Sequence, residues 1–139
     1  MEKIIIENKI GNLIVLLEKL EIILKEYEKN SKLKEFLFYA AEKKAEEIVE
    51  LAISINQELL KFKGKMSQSY YDSFIDLKLF GVFEENFLVK LANTAGFRNR
   101  LAHDYLDIDE KVAFNTMKDM LSLYKLYLQK VRKIMHTFK

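Results

Sequence analysis

Between Ile4 and Tyr27 the apolar residues Ile4, Ile5, Ile10, Leu13, Ile14, Leu17, Leu20, Ile23, Leu24 and Tyr27 recur mostly at intervals of three or four positions. A helix completes a turn in about 3.6 residues, so this spacing gathers the side chains onto one wide apolar face. Such a face must be covered by other elements, and the rest of the chain offers helices to do it. A second helix is expected from about Leu33 to Phe62, with Phe36, Leu37, Ala40, Ala41, Ala45, Ile48, Val49, Ala52, Ile53 and Leu59 at the same spacing. The first ends near Asn30, and "KGKMSQ" breaks the pattern after the second.

A short helix is expected from Tyr71 to Phe80, closed by Gly81, which tolerates the left-handed backbone that ends a helix. A fourth helix begins near Glu84. In "DIDE", Asp107 stands three residues before Glu110, the spacing of a capping box with Asp in place of Ser or Thr, and a fifth helix runs from there to about Met135. Proline is absent and glycine occurs four times, so few positions call for unusual backbone angles. The fold class is all-α: one domain, residues 1–139, forming an up-and-down four-helix bundle with one short additional helix. The run "LIVLL" at 13–17 leaves two uses open, the bundle centre or a dimer seam.

With no cysteine, disulfide frameworks, thiolate zinc sites and cysteine nucleophiles are excluded. Glu7, Lys9, Glu18 and Lys19 interrupt the apolar N-terminus before the roughly 20 residues of a membrane span. No small-residue cleavage site follows it, so a cytoplasmic protein without membrane contact is expected. The formal net charge of +2 gives no global argument for nucleic-acid binding. Between Lys125 and Lys139 the sequence carries Lys125, Lys130, Arg132, Lys133 and Lys139 and no acidic residue. These cations suit either the negative end of a helix dipole or a phosphate-tracking patch.

The densest polar chemistry lies in "FRNRLAHDYLDID", residues 97–109. Taking Leu88 as the inward direction and about 100° per residue, Leu91, Ala92 and Ala95 fall within about 60° of it. Asn99 then lies near 20°, His103 near 60° and Arg98 near 80° on the other side. This count puts a polar trio on the buried face, where it needs partners: neighbouring helices, a ligand in a cleft, or its own copies across a dimer interface. Asn99 and His103, four apart, share one face, whereas Arg98 and His103 converge only across a groove. Arginine's planar fork suits a phosphate and a histidine titrating near neutrality can move a proton. The pair without a carboxylate cluster suggests metal-free phosphoryl chemistry, with no metal and no cofactor.

Arg98, four residues, His103, one residue and Tyr105, set in "GFRNRLAHDYLDID", closely resemble the signature of HepT-like toxins of the HEPN ribonuclease superfamily. The segments at 40–55 and 70–91 and the helix from Lys111 to Ile134 look like the corresponding family segments, so the resemblance spans roughly 35–134. Unlike many relatives, this chain has no proline in the loop before Tyr70. The resemblance implies a HEPN-like homodimer whose two motifs face one another in a cleft and form a composite, metal-independent endoribonuclease site. It implies His103 as the acid or base, Arg98 as the group holding the charged phosphorane, and Asn99 and Arg100 as substrate-binding residues. It also implies a toxin–antitoxin module whose antitoxin, a minimal nucleotidyltransferase, can transfer AMP to Tyr105. Without the resemblance, Tyr105 reads as an amphipathic residue packed at a helix end.

Two other functions stay open on the residues alone: a non-catalytic nucleotide-binding or scaffold module, and a helical interaction protein with a polar dimer seam. His136, near the last residue, reads as solvated. Tyr70, Tyr71, Tyr124 and Tyr127 read as core or rim rather than as a base-stacking platform.

Overall fold

The structure, a computed structural model, describes residues 2–29, 32–103 and 108–138, except the side chains of Glu2 and His103. Its elements are α1 (Glu2–Lys29), α2 (Lys34–Lys61), α3 (Tyr70–Ile75), a 3-10 helix (Asp76–Phe80), α4 (Glu85–His103) and α5 (Glu110–His136). The four long helices alternate in direction. Tyr27, near the end of α1, bonds Glu110 at the start of α5, while at the other pole Lys3 donates to the Phe138 carbonyl. Phe62, just past α2, stacks on Phe138 at that pole, with 4.2 Å between ring centroids. Among the described residues no helix is long and apolar enough to cross a membrane.

Three of the helices bury side chains at the strict four-three alternation of a heptad seam. In α1 they are Ile6, Ile10, Leu13, Leu17, Leu20 and Leu24; in α2, Ala41, Ala45, Ile48, Ala52, Ile55 and Leu59; in α5, Ala113, Met117, Met120, Tyr124, Tyr127, Val131 and Ile134. The seam of α1 corrects the expected one at its start. Ile6 is buried, whereas Ile4 and Ile5 are exposed, because the seam turns inward one residue later. Of the "LIVLL" run, Leu13 and Leu17 belong to the core, Ile14 and Leu16 are partly buried and Val15 is exposed. Phe36, expected on the covered face of α2, also lies exposed in its first turn.

Alanine at 41, 45 and 52 makes the α2 seam shallow enough for another helix to reach its backbone. The Tyr127 hydroxyl donates to the Ala52 carbonyl at 3.2 Å and to Asn56 Oδ1 at 2.6 Å. Asn56 Nδ2 in turn donates to Ser73 Oγ, and Ser73 Oγ donates to the Tyr70 carbonyl. This buried chain pins α3 to α2 and α5 and satisfies polar groups that would otherwise lose water without return. Tyr124, also fully buried, pairs with Thr94 Oγ1 at 2.7 Å. Burial pushes both hydroxyls well above the usual tyrosine range.

The expected short helix is two pieces, an α-helical turn and a half followed by the 3-10 helix. Ser69 caps the first by accepting from Asp72 N. Gly81 closes the second at φ 72°, as expected, and Gly64 at φ 64° follows α2, where the pattern breaks. The expected cap is displaced by two residues. Asp109, not Asp107, is the cap of α5, accepting from Val112 N at 3.0 Å, which leaves Glu110 free to bond Tyr27.

Because the α2 seam is shallow by composition, Ala45→Leu is expected to destabilise the bundle by about 1–3 kcal/mol through overpacking. Urea denaturation followed by far-ultraviolet circular dichroism measures it, with exposed Lys43→Leu as the unaffected control.

Candidate functional site

The polar cluster occupies the last turns of α4, and its placement differs from the angular count. Leu88, Leu91, Ala92 and Ala95 are buried as expected, but further along the buried residues are Thr94, Phe97 and Leu101. From Leu88 these lie at about −120°, 180° and −140°, on the opposite side. The covered face of α4 therefore swings round the helix, and Arg98 and Asn99 do not interrupt a buried face. Asn99 and Arg100 are exposed and Arg98 is half-buried. The physical reason is that α4 packs against α3 as well as the other long helices, while Phe97 and Leu101 enter the common core.

Arg98 reaches across to α2. Its Nε and Nη2 both donate to Glu50 Oε1, at 3.2 and 2.6 Å, and its Nη1 donates to Asn99 Oδ1 at 3.1 Å. A guanidinium has five N–H groups, and these three bonds occupy one edge and one terminal position. Among the described residues these bonds leave one N–H on each of Nη1 and Nη2, two donors that phosphate oxygens can accept. The Arg98 side chain is only 22% exposed, so its orientation is set by packing as well as by charge. Glu50 is a residue the sequence reading missed. The only signal was its place on α2, eight residues after the buried Glu42, which says nothing about α4.

Arg100 does not join Arg98. It lies on the far side of α4, its guanidinium 5.7 Å from the Phe97 ring, lining a larger cleft of about 630 Å³ between α4 and α5. The cleft beside Arg98 is smaller, about 220 Å³, and is bounded by Glu50, Ile53, Ser54, Gln57, Tyr70 and Arg98. Of the two, the smaller one adjoins the phosphate-sized fork. His103 is the final residue of α4, five positions beyond Arg98. Its side chain, and Tyr105 with all its surroundings, lie outside the described residues. Among the described residues no group of three or more His, Cys, Asp or Glu side chains is placed to hold a metal ion.

Tyr27 ties the end of α1 to the start of α5. Its hydroxyl donates to Glu110 Oε1 at 2.7 Å, its ring stacks on Phe114 at 5.0 Å, and Lys34 Nζ sits 4.7 Å from the ring centroid. Burial, the bond to Glu110 and the charge of that carboxylate raise its pKa to about 12. Glu42, buried on α2, is likewise raised above the carboxylate range by burial and by the charges of Glu46 and Glu110. The other expectations are met in part: Tyr124 and Tyr127 are core, while Tyr70 and Tyr71 are exposed at the rim. His136 is exposed, and Lys125 of the basic stretch approaches Glu21 of α1 at 3.7 Å.

A family model described as ribonuclease HepT-like matches residues 13–131. The chain belongs to the HepT-like family. The tRNA nuclease HepT of Aphanizomenon flos-aquae is 31% identical over 93 residues, which are 66% of this chain and 63% of that relative, so the match spans less than two thirds of its length. Among solved structures, the HepT-like chain resembles a tri-AMPylated Shewanella oneidensis HEPN toxin in complex with an MNT antitoxin, at TM-score 0.75 and 17% identity over 93% of this chain and 97% of that one. A toxin–antitoxin structure with AMP-PNP matches at TM-score 0.75 and 16% identity, covering 93% and 98%. YutE, a cytosolic protein of unknown function from Bacillus subtilis, matches at TM-score 0.68 and 16% identity, covering 91% and 90%. At these identities the structural likeness establishes the fold alone, an all-α bundle.

The raised pKa of Tyr27 has a stability consequence. Below about pH 10 its phenol is neutral folded and unfolded, and its contribution is whole; above it the unfolded chain ionises first, so that contribution is lost as pH rises towards about 12. Tyr27→Phe is therefore expected to flatten the fall of stability across that window, measured by denaturant midpoints at successive pH values.

Proposed function

We propose that this HepT-like protein is an RNA-cleaving toxin that acts as a homodimer, with Arg98 and His103 of both protomers facing one cleft. The observation that carries this reading is the prearranged guanidinium of Arg98, held along one edge by Glu50 and at a terminal nitrogen by Asn99, with one N–H on each terminal nitrogen unbonded among the described residues. The membership of the HepT-like family and the relative named a tRNA nuclease support the same chemistry.

The reaction is an internal transesterification that needs no metal. One His103 takes the proton of a ribose 2′-hydroxyl, the freed oxygen attacks the adjacent phosphorus, and the bond to the 5′-oxygen breaks. The leaving oxygen receives a proton from the second imidazole, giving a cyclic phosphate and a 5′-hydroxyl. Negative charge gathers on the non-bridging oxygens as the phosphorane forms, and the Arg98 fork holds it with two charge-assisted bonds. Asn99 and Glu50 act as positioning residues, since their bonds decide which edge of Arg98 faces the phosphate. Arg100, on the other side of the helix, contributes to RNA at a distance from the bond that breaks.

Control belongs to a minimal nucleotidyltransferase antitoxin that transfers AMP to Tyr105, two residues beyond His103. An anionic adduct there opposes binding of an RNA phosphate at Arg98 by charge and by bulk. Light scattering is expected to give a dimer, and the purified protein is expected to cleave RNA equally with and without EDTA. Arg98→Ala is expected to lower kcat by about 10²–10³-fold and His103→Ala by about 10²–10⁴-fold, with circular dichroism unchanged. Co-expression with the transferase should add the mass of AMP to the wild type and none to Tyr105→Phe. Inhibition of cleavage by EDTA, or full activity of His103→Ala, would overturn the mechanism.

A further inference from the structure

The cleft next to Arg98 has features that phosphate binding does not use. Glu50, Ile53, Ser54 and Gln57 are spaced at three, four and seven residues along α2, so they form one continuous face. Ile53 is buried and makes an apolar floor. Across from α2, the half-exposed ring of Tyr70 forms a wall at the start of α3. The backbone that carries the ring is anchored, because the Tyr70 carbonyl is held by Ser73, Ser73 by Asn56, and Asn56 by Tyr127.

The hydrogen-bonding groups are arranged for a polar edge. Ser54 Oγ accepts from Lys9 Nζ of α1, and its own hydroxyl proton remains to donate. Gln57 is exposed and its amide offers a donor and an acceptor side by side. At about 220 Å³ the cleft falls below the roughly 300–1,000 Å³ of pockets that enclose drug-sized ligands. It suits one flat ring system rather than a whole nucleotide. A ring that needs an apolar floor, an aromatic wall and a paired donor and acceptor, next to an anion held by Arg98, has the chemistry of a nucleobase in single-stranded RNA.

We propose that the cleft bounded by Ile53, Ser54, Gln57 and Tyr70 is a nucleobase subsite that receives the base flanking the phosphate on Arg98. Tyr70 stacks on the base, while Gln57 and Ser54 read its edge, so the subsite sets which base stands beside the cleaved bond. The sequence reading put Tyr70 at the core or rim; its position on the rim is what lets the ring serve as a stacking wall. This inference rests on the ribonuclease reading for its biological meaning, although the binding it describes is measurable without cleavage.

The test has two arms. In the first, wild type, Gln57→Ala, Tyr70→Ala, Tyr70→Phe and the remote exposed control Gln129→Ala cleave a pool of randomised single-stranded RNA, and the new ends are sequenced. In the second, the same substitutions are placed in His103→Ala and titrated with a short, uncleaved, fluorescent single-stranded RNA. The expected results are a base preference at one position beside the cut in the wild type, its loss in Gln57→Ala, and its retention in Tyr70→Phe and Gln129→Ala. Tyr70→Ala should weaken binding about fivefold or more, the lower end of base–aromatic stacking. Cleavage by the wild type with preference and binding unchanged in Gln57→Ala and Tyr70→Ala would overturn the subsite and leave the nuclease standing. No cleavage by the wild type, with binding still weakened in both variants, would keep the subsite and remove the nuclease.

Discussion

Everything in this bundle hangs on the shallow seam of α2. Ala41, Ala45 and Ala52 give the helix a surface on which leucine-rich α1 and tyrosine-bearing α5 can close, and the Ala52 carbonyl comes within reach of the Tyr127 hydroxyl. Bulkier residues would hold the neighbours away and leave that hydroxyl and Asn56 Oδ1 without partners in a dry interior, a cost of about 1–3 kcal/mol for each orphaned group. The same closeness brings α4 near enough for Arg98 to meet Glu50. Core packing and site geometry are thus set by the same helix, whose one face holds alanines and whose adjoining face holds Glu50, Ser54 and Gln57.

The Arg98–Glu50 pair is not an important source of stability. Half of the Glu50 side chain is exposed, and pairs of that kind contribute about 0–1 kcal/mol. Its value is geometric. A guanidinium free to rotate offers its edges at random, whereas one held at Nε and Nη2 presents a fixed fork, and catalysis by charge stabilisation depends on such prearrangement. The network Tyr127–Asn56–Ser73–Tyr70 works similarly at the other end of the cleft, with the difference that it is buried and supports the fold as well.

Helix class, number, order and most boundaries were legible in the sequence, since apolar spacing and the glycines at 64 and 81 report on local backbone geometry. The motif residues were legible too, as a cluster of unlike polar groups and as a family resemblance covering much of the 13–131 match. Less legible was the direction in which they point. Counting about 100° per residue placed Arg98, Asn99 and His103 relative to one another, but it assumed that the inward direction found at Leu88 persists along α4. It does not, because Thr94, Phe97 and Leu101 take over the burial on the opposite side.

The sequence by itself determined what each segment does locally: which stretches coil, which faces are apolar, and that an arginine, a histidine and a tyrosine stand within eight positions of one another. Periodicity and capping act over one or two turns, so they can be read without knowing the neighbours. Tertiary structure alone decided which side of α4 is covered, that Glu50 on α2 anchors Arg98 forty-eight residues away, and that Tyr70 faces Gln57 across a cleft. Those outcomes depend on how side-chain volumes on different helices fit together, and no single helix carries that information in its own spacing.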